Sequence, residues 1–516
     1  MLGKKRREFV PQIVSLAALV PQDNFYRKLE TAVDLNFVRD LTQDFYAANM
    51  GRPSVDPVVF FKIQLIMYFE GIRSERQRME MAAMRLDHRW YLGYDLNEPV
   101  PDHSSLTRIR DRYGLVIFQR FFECVVELCI AAGLVWGKEL YFDGSAIEAN
   151  ADYDNLVPRF YWEAKNHLRE LFKEEVVAAT DNVTESAAQA VCQTGAEIDD
   201  RHFVHKYAGH QRMVKASRYQ RQVDYWVNTT DPDASPLGKD QMGYHTHYVV
   251  DGGKARIIVA CLTTPATIQD NTPMLDLAWW ARFRWQLPLR VAVGDQKYGT
   301  IENIVGLEDN GVKAYVPAHA ESAGRKAHGF PHEAFVYDAA RDCYICPQGA
   351  ILPLRRSDDQ TQRHAYYASR KVCSACPLKP ECTTNRWRQI EHSYFKDYLD
   401  RVAVYQQTEA YQKAMRKRQV WVQPKFSESK LWHQGRRCRL RRIRKVNIEA
   451  LLRASVQNIK QLVRRRNRQN PLKPANVQAL AVPVSLIFYF LLWLLAIWRQ
   501  FFASQYRPSI GICISH

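Results

Sequence analysis

Two aspartates, Asp143 and Asp295, each close a short apolar run that reads as a β-strand, Glu139 to Phe142 before the first and Leu289 to Gly294 before the second. A carboxylate at the carboxyl end of a strand stands in the crevice where open α/β sheets bind their ligands. Carboxylate oxygens are hard ligands that suit Mg²⁺ or Mn²⁺ and leave coordination positions for water and phosphate. Two such ions about 3.5–4 Å apart can activate an attacking oxygen and steady a leaving one, which is what phosphodiester chemistry needs. One aspartate after a strand is more often a turn or a helix cap, so the pair carries the reading. Asp231, Asp233 and Asp251 also stand near strand ends, but their Asp-Pro and Asp-Gly contexts fit turn geometry better. Glu148, five residues after Asp143, reads as a supporting group or as a surface acid.

A second set of chemical residues is sulfur. Five of the eleven cysteines fall between 343 and 382, as the pair Cys343 and Cys346 followed by Cys373, Cys376 and Cys382. Thiols separated by two residues suit tetrahedral Zn²⁺, and an iron–sulfur cluster would use the same ligands. Four ligands complete such a site, so Cys343 or Cys346 is spare. Cys124, Cys129, Cys192, Cys261, Cys438 and Cys513 are scattered, which is too sparse for a disulfide scaffold and fits a reducing cytosol.

The third set is basic. Arg436, Arg437, Arg439, Arg441, Arg442, Arg444 and Lys445 put seven positive charges into ten residues, and 463–468 add four arginines in six. Against 55 Asp and Glu the chain holds 72 Lys and Arg, a net charge of +17. Such an excess, concentrated in this way, makes nucleic acid the leading partner. Near the N-terminus, Arg108, Arg110 and Arg112 lie on a short expected helix after a tight turn. That suits DNA backbone or groove contact, and a solvated basic face on a helical bundle fits equally. His433 reads as a phosphate contact or a solvated histidine, and Trp421 reads better as packing than as a platform for a base.

These residues need elements to hold them. With 516 residues and 47% hydrophobic content, the chain can bury at least one large core and is not mainly disordered. The first 120 or so residues read as helices, with Asp56-Pro57 and Asp102 as starts. From about 138 the period changes to strands, with runs at 225–229, 245–250 and 257–263, then a helix at 271–283 and the strand before Asp295. The order strand, strand, strand, helix, strand implies an α/β sheet with crossovers. The basic start followed by an apolar run at 9–20 is interrupted by Pro11 and Gln12, which argues against an export signal. Residues 477–498 carry no charge and are long enough to span a bilayer. A buried or oligomer-contact helix is the reading preferred for them, because a membrane anchor sits poorly with a DNA-processing body.

Several short motifs in order give a resemblance. They are Gly51-Arg-Pro-Ser-Val-Asp-Pro57, Ile72-Arg-Ser-Glu-Arg-Gln77, Val100-Pro-Asp-His-Ser-Ser105, Phe142-Asp-Gly-Ser145, Thr230-Asp-Pro-Asp-Ala234, Gly294-Asp-Gln-Lys-Tyr-Gly299, and Lys445-Val-Asn-Ile-Glu449 through Asn458. Over most of 15–465 the chain resembles the DDE transposases of bacterial insertion sequences, in the group with a cysteine-bearing segment before the last catalytic helix. The resemblance implies an α/β, RNase H-like catalytic domain in which Asp143 and Asp295 are the first two ligands of Mg²⁺ or Mn²⁺. It also favours Cys346, Cys373, Cys376 and Cys382 as the zinc set. The implied layout is a helical DNA-binding domain at 1–125 and a catalytic core at 136–335 with a helical insertion at about 157–222. A cysteine-rich segment at 336–390, a basic helical end at 395–470 and an apolar tail at 471–516 follow. Implied partners are double-stranded DNA, as element ends and target, and further copies of the chain, in a cytoplasmic, nucleoid-associated setting.

One position departs from the family's pattern. The third acid of such enzymes lies in a Val-Glu-Pro-like segment seven residues before a lysine, and here that segment is Val420 to Lys430, with Gln423 at the acid position and Lys430 in place. An amide brings no charge to a metal site. Three readings stay open: Glu428 substitutes, although five residues on is about 140° around a helix; this copy is an inactive, DNA-binding remnant; or the register is displaced.

Overall fold

The structure, a computed structural model, describes residues 13–47, 54–158, 162–163, 166, 226–238, 240–317 and 329–468. The expected helical insertion lies almost wholly outside these residues, and the apolar tail lies outside them entirely. The described residues form two compact units, one of those up to Gly133 together with Ser455–Arg468 and one of those from Leu134 to Ala454. Among the described residues no helix is long and apolar enough to cross a membrane.

The first unit is helical: α1 (Leu16–Leu19), α2 (Phe25–Ala32), α3 (Phe37–Thr42), α4 (Pro57–Phe69), α5 (Glu75–Met84), α6 (Leu86–Leu92) and α7 (His103–Ala131). Asp56 starts α4 by accepting from the Val58 amide at 2.8 Å, with Pro57 in the first turn where its missing N–H costs nothing. Phe60, Phe61, Ile63, Leu65 and Ile66 are buried on several sides of α4, which makes it the central helix. Phe61 stacks on Phe121 of α7 with ring centres 4.4 Å apart. The expected short helix at 106–112 is the start of the much longer α7, interrupted by Gly114 at φ 61°. Arg110 corrects the sequence reading. It is 3% exposed and bound to Glu75 of α5, so it is a structural ion pair between helices and not a DNA contact. Arg108 and Arg112 are exposed as expected.

The second unit holds a six-stranded sheet. Strand β1 (Glu139–Glu148) is followed by the small pair β2 (Leu156–Pro158) and β3 (Trp226–Asn228), then β4 (Ser235–Pro236), β5 (Met242–Asp251) and β6 (Ile258–Pro265). Helix α8 (Met274–Arg284) leads to β7 (Val291–Val293), and α9 (Ile301–Glu308) leads to β8 (Lys313–Tyr315). β5 is antiparallel to both β1 and β6, whereas β7 runs parallel to β1 and β8 parallel to β7. The spatial order is thus β6-β5-β1-β7-β8, with β4 against one end of β5. Within the run expected at 225–229, Trp226–Asn228 pairs with β2 and stands outside this sheet.

β1 does not stop at Asp143, as the sequence suggested. β5 stays paired to it as far as Glu148 opposite Gly243, so the strand continues. The parallel neighbour is what ends there: the last β1–β7 pair is Tyr141 with Val293. Asp143 therefore borders a notch in the sheet edge. Of the three turn-context aspartates, Asp251 makes a turn bond, accepting from the Gly253 amide at 2.8 Å, and also accepts from the distant Trp136 and Gly137 amides at 3.0 and 2.7 Å. The side chains of Asp231 and Asp233 instead accept from the backbone amides of Arg442 and Ile443 at 2.9 and 2.8 Å, at the start of the last helix.

A second, antiparallel sheet follows, of β9 (Val336–Asp338), β10 (Cys343–Ile345), β11 (Ile351–Asp358), β12 (Arg363–Tyr367) and β13 (Gln389–Ser393), with the short helices α10 (Arg370–Ser374) and α11 (Lys379–Cys382) before its last strand. Helices α12 (Lys396–Gln406), α13 (Glu409–Trp421), α14 (Gln423–Trp432) and α15 (Ile443–Arg468) complete the described chain.

Helices α8 and α9 oppose two carboxyls, Asp276 and Glu302. Burial, and then the charge of Glu302, push Asp276 up to about 7. Because this exceeds the ordinary value of 3.8, the folded protein binds the extra proton between about pH 4 and 7, and stability falls as pH rises through that window. Asp276→Asn should therefore raise the melting temperature at pH 8, by on the order of 1 kcal/mol of stability, and by much less at pH 5. Equal shifts at the two pH values would contradict the assignment.

Candidate active site

Asp143 and Tyr248 are paired across β1 and β5, so their side chains share one face of the sheet, together with Tyr141 and Glu139. Helices α13 and α14 cover that face. Phe426 stacks on Tyr248 at 4.5 Å, and Trp421 lies 6.3 Å from Tyr141. Trp421 is thus a packing residue. Lys417 reaches Glu139 at 2.9 Å, and the next residue, Arg418, reaches the aspartates. One guanidinium nitrogen, Nη2, donates to Asp143 Oδ1 and to Asp295 Oδ2, each at 3.2 Å. The two carboxylate oxygens therefore lie no further apart than twice that distance. Residues separated by more than 150 positions of chain meet at one cation.

Asp295 follows β7 and caps a short turn at Gln296–Tyr298 by accepting from the Lys297 amide at 2.9 Å. Asp143 is the more enclosed of the pair, with side-chain exposures of 13% and 32%. Burial raises the Asp143 carboxyl above its ordinary value. Arg418 pulls it down and Asp295 pushes it up, without reversing the sign.

The opposite face of β1 and β5 carries a second charged group beside the same notch. Asp270, in the turn before α8, holds Lys297 Nζ at 2.7 Å and faces His245 Nδ1 at 3.3 Å. Burial alone would raise the Asp270 carboxyl, but the Lys297 bond and the neighbouring positive charges outweigh it and lower it. Lys297 in turn is held above its usual range, first by Asp270 and also by Asp295 and Asp143. Neither Asp270, Lys297 nor Arg418 was singled out from the sequence. Asp270 carries the same signal as the two chosen aspartates, a carboxylate between a strand and a crossover helix. Arg418 carries none, because its role depends on where α13 lies.

Two family models match the chain. Residues 14–112 match a model described as Transposase domain (DUF772), and residues 345–463 match one described as Transposase DDE domain. No curated protein and no solved structure matches. Together the two matches support an insertion-sequence DDE transposase. Its function is DNA transposition, and the DDE domain makes it an enzyme of the nuclease or transferase kind. The helical N-terminal unit and the sheet-containing remainder agree with that family at the level of mixed α/β architecture.

The transposase places the other expected residues unevenly. Gln423 opens α14 with an exposed side chain. Glu428 faces the wholly buried His433 at 3.5 Å, so His433 is not a phosphate contact, and Lys430 is partly exposed. In the basic run, Arg436, Arg437, Arg441, Arg442 and Arg444 are exposed and Lys445 partly so, while Arg439 is drawn to the buried Glu449 at 3.7 Å. Arg441 Nε donates to the Asn150 carbonyl at 2.9 Å, and the Glu148 amide donates to the Arg436 carbonyl at 3.0 Å, which fixes the run beside the far end of β1. Cys346, Cys373 and Cys382 pack against the core of the second sheet. Burial raises the Cys382 thiol, and the neighbouring Cys346, Cys373 and Cys376 add to it, whereas Cys343 is buried in β10. As placed, these thiols form a loose cluster and not a closed tetrahedral cage: among the described residues no three His, Cys, Asp or Glu side chains converge to hold an ion.

Arg418→Ala would leave two carboxylates facing each other with no cation between them. The variant should lose about 3 kcal/mol of stability in chelator, as expected for breaking a largely buried ion pair. Thermal denaturation should show Mn²⁺ restoring more of that loss than it adds to the wild type. No difference in the Mn²⁺ response would contradict a shared cation position.

Proposed function

We propose that this transposase cuts and rejoins phosphodiester bonds at the ends of an insertion sequence, with Asp143 and Asp295 holding divalent metal in an RNase H-like domain. The observation that carries the proposal is the meeting of Asp143 Oδ1 and Asp295 Oδ2 on one nitrogen of Arg418. The strand order supports it: three antiparallel strands followed by two parallel ones, in the order β6-β5-β1-β7-β8, is the arrangement of an RNase H-like sheet. The donor set fits Mg²⁺ or Mn²⁺, since two carboxylates already share a place for positive charge. Bound there, the ions would supply a stronger attacking oxygen and stabilise the leaving one. The protein's own part is to fix the two carboxylates on rigid strand ends and to align the DNA. The exposed arginines from Arg436 to Arg444 would take phosphates of the element end, and Arg108 and Arg112 would do so from the helical unit. Cutting and joining two ends calls for at least two copies of the chain.

A second reading has one observation in its favour. Gln423 stands where the family carries its third acid, and its side chain is an exposed amide. A silent remnant would bind element ends and not nick them.

An end-cleavage assay with Mg²⁺ or Mn²⁺ separates the two readings. The active reading predicts strand cleavage by the wild type, lost by a factor of at least about 10² in Asp143→Ala, with DNA binding retained and weakened steeply by salt. Binding with no nicking, and nicking restored in Gln423→Glu, would establish the remnant instead.

A further inference from the structure

Two indoles near the N-terminal end of β1 gather three cations. Lys138 Nζ stands 5.7 Å from the centre of the Trp136 ring. Lys417 Nζ is 5.6 Å from the same ring and 4.9 Å from Trp421, and the Arg256 guanidinium is 5.4 Å from Trp421. Lys138, Trp136, Lys417, Trp421 and Arg256 thus form one continuous chain of contacts. It is assembled from three separate places, the entry to β1, the turn between β5 and β6, and the last turns of α13. Arg256 Nη1 donates to the Val420 carbonyl at 3.3 Å, which ties that turn to the helix end. Cations over aromatic rings occur about once per 70–80 residues, so four such contacts on two rings are a concentration and not scatter.

Surface cations are ordinarily ordered by carboxylates, which also cancel their charge. An indole face orders them through its quadrupole and leaves the charge in place. Lys417 is the member with a carboxylate partner, Glu139 at 2.9 Å, and Glu139 also accepts from the Tyr141 hydroxyl. Among the described residues no carboxylate lies within ion-pair distance of Lys138, Arg256 or the exposed Lys254 of the same turn. Asp251, which begins that turn, is buried and accepts from the Trp136, Gly137 and Gly253 amides. Trp136 and Lys138 are exposed, and Arg256 and Lys417 are partly so. Cations ordered in advance have already lost the side-chain freedom that binding would otherwise cost. Such a surface suits a polyanion with regularly spaced charges.

Its place along β1 decides which polyanion. Glu139 precedes Asp143 by about 13 Å of extended strand, and Lys417 adjoins Arg418, which bonds both aspartates. The arginines from Arg436 onward are fixed at Glu148, about 17 Å beyond Asp143 on the same strand. Along the strand the two basic surfaces therefore lie on either side of Asp143, about 30 Å apart, the length of about nine base pairs. We propose that the surface around Trp136 and Trp421 holds phosphates of the flanking DNA, beyond the cleaved bond as seen from the element end. The proposal rests on the reading above, in which the arginines from Arg436 to Arg444 take the element end. A duplex gripped at both surfaces cannot slide, so the bond between them is set against Asp143 and Asp295. After cleavage the flank is held by this surface alone and can leave, while the element end stays on the arginine run.

The test is fluorescence anisotropy of the full chain in chelator, so that binding is read without cleavage, with two labelled duplexes. One carries the element's terminal sequence and about ten flanking base pairs; the other stops at the cleavage position. Lys138→Ala combined with Arg256→Ala should weaken binding of the flanked duplex at least about fivefold and lower its salt slope by about two. The shorter duplex should bind that variant as it binds the wild type, and Lys138→Arg with Arg256→Lys should restore the flanked affinity. Arg444→Ala should weaken both duplexes alike. Equal weakening of both duplexes by the double alanine variant, or none of either, would overturn the proposal and leave the arginine run as the DNA surface. Weakening confined to a third duplex without element sequence, added to the bound element end, would assign the surface to target DNA and also overturn it. Failure of the wild type to bind either duplex would remove the DNA reading beneath it.

Discussion

Two carboxylates held side by side in a partly buried cleft repel each other unless a cation lies between them, and the second unit of this transposase is organised around that constraint. At separations of this order and an effective dielectric near 20, the unscreened repulsion is about 3 kcal/mol. β1 holds Asp143 rigidly because it is paired on both sides up to Tyr141 and continues on one side beyond. The turn after β7 brings Asp295 to it, and α13 lays Arg418 between them. Burial of Asp143 sharpens the demand, since it raises the cost of the charged form. A site that must hold positive charge, and that borders an open notch, is suited to exchanging an organic cation for a metal ion when DNA arrives.

The path from this constraint to function runs through the exposed basic segment. Arg436 to Arg444 are anchored by main-chain and side-chain bonds to the end of the same strand that carries Asp143. Ile147, Ala149, Tyr244, Cys438 and Val446 form one buried cluster beneath them. Phosphates gathered by those arginines would therefore be registered against β1 by a packed core and not by a loose loop, and alignment of a scissile bond depends on such rigidity.

Much of this was legible in the chain. The strand runs before Asp143 and Asp295 and the helix at 271–283 could be read from hydrophobic period and turn residues, because central strands bury both faces and crossover helices need caps. The turn role of Asp251 was legible from its Gly neighbours, whereas the bonds of Asp231 and Asp233 to the Arg442 and Ile443 amides were not. The continuation of β1 to Glu148 was not, since Asp and Gly at 143 and 144 read as a stop until β5 is known to pair with them. Arg110 looked like a DNA contact because a positive charge on a helix has the same spelling whether it meets solvent or Glu75. Arg418 was missed for a related reason. Its role is set by long-range placement, 275 positions from Asp143, and no local pattern encodes that.

The most direct test of a shared metal position is anomalous diffraction from crystals of the transposase grown with Mn²⁺ and element-end DNA. The account predicts a manganese peak within bonding distance of both Asp143 and Asp295, with the Arg418 guanidinium moved away from them. Arg418 still bonded to both carboxylates, with no manganese at the pair under saturating Mn²⁺, would contradict it.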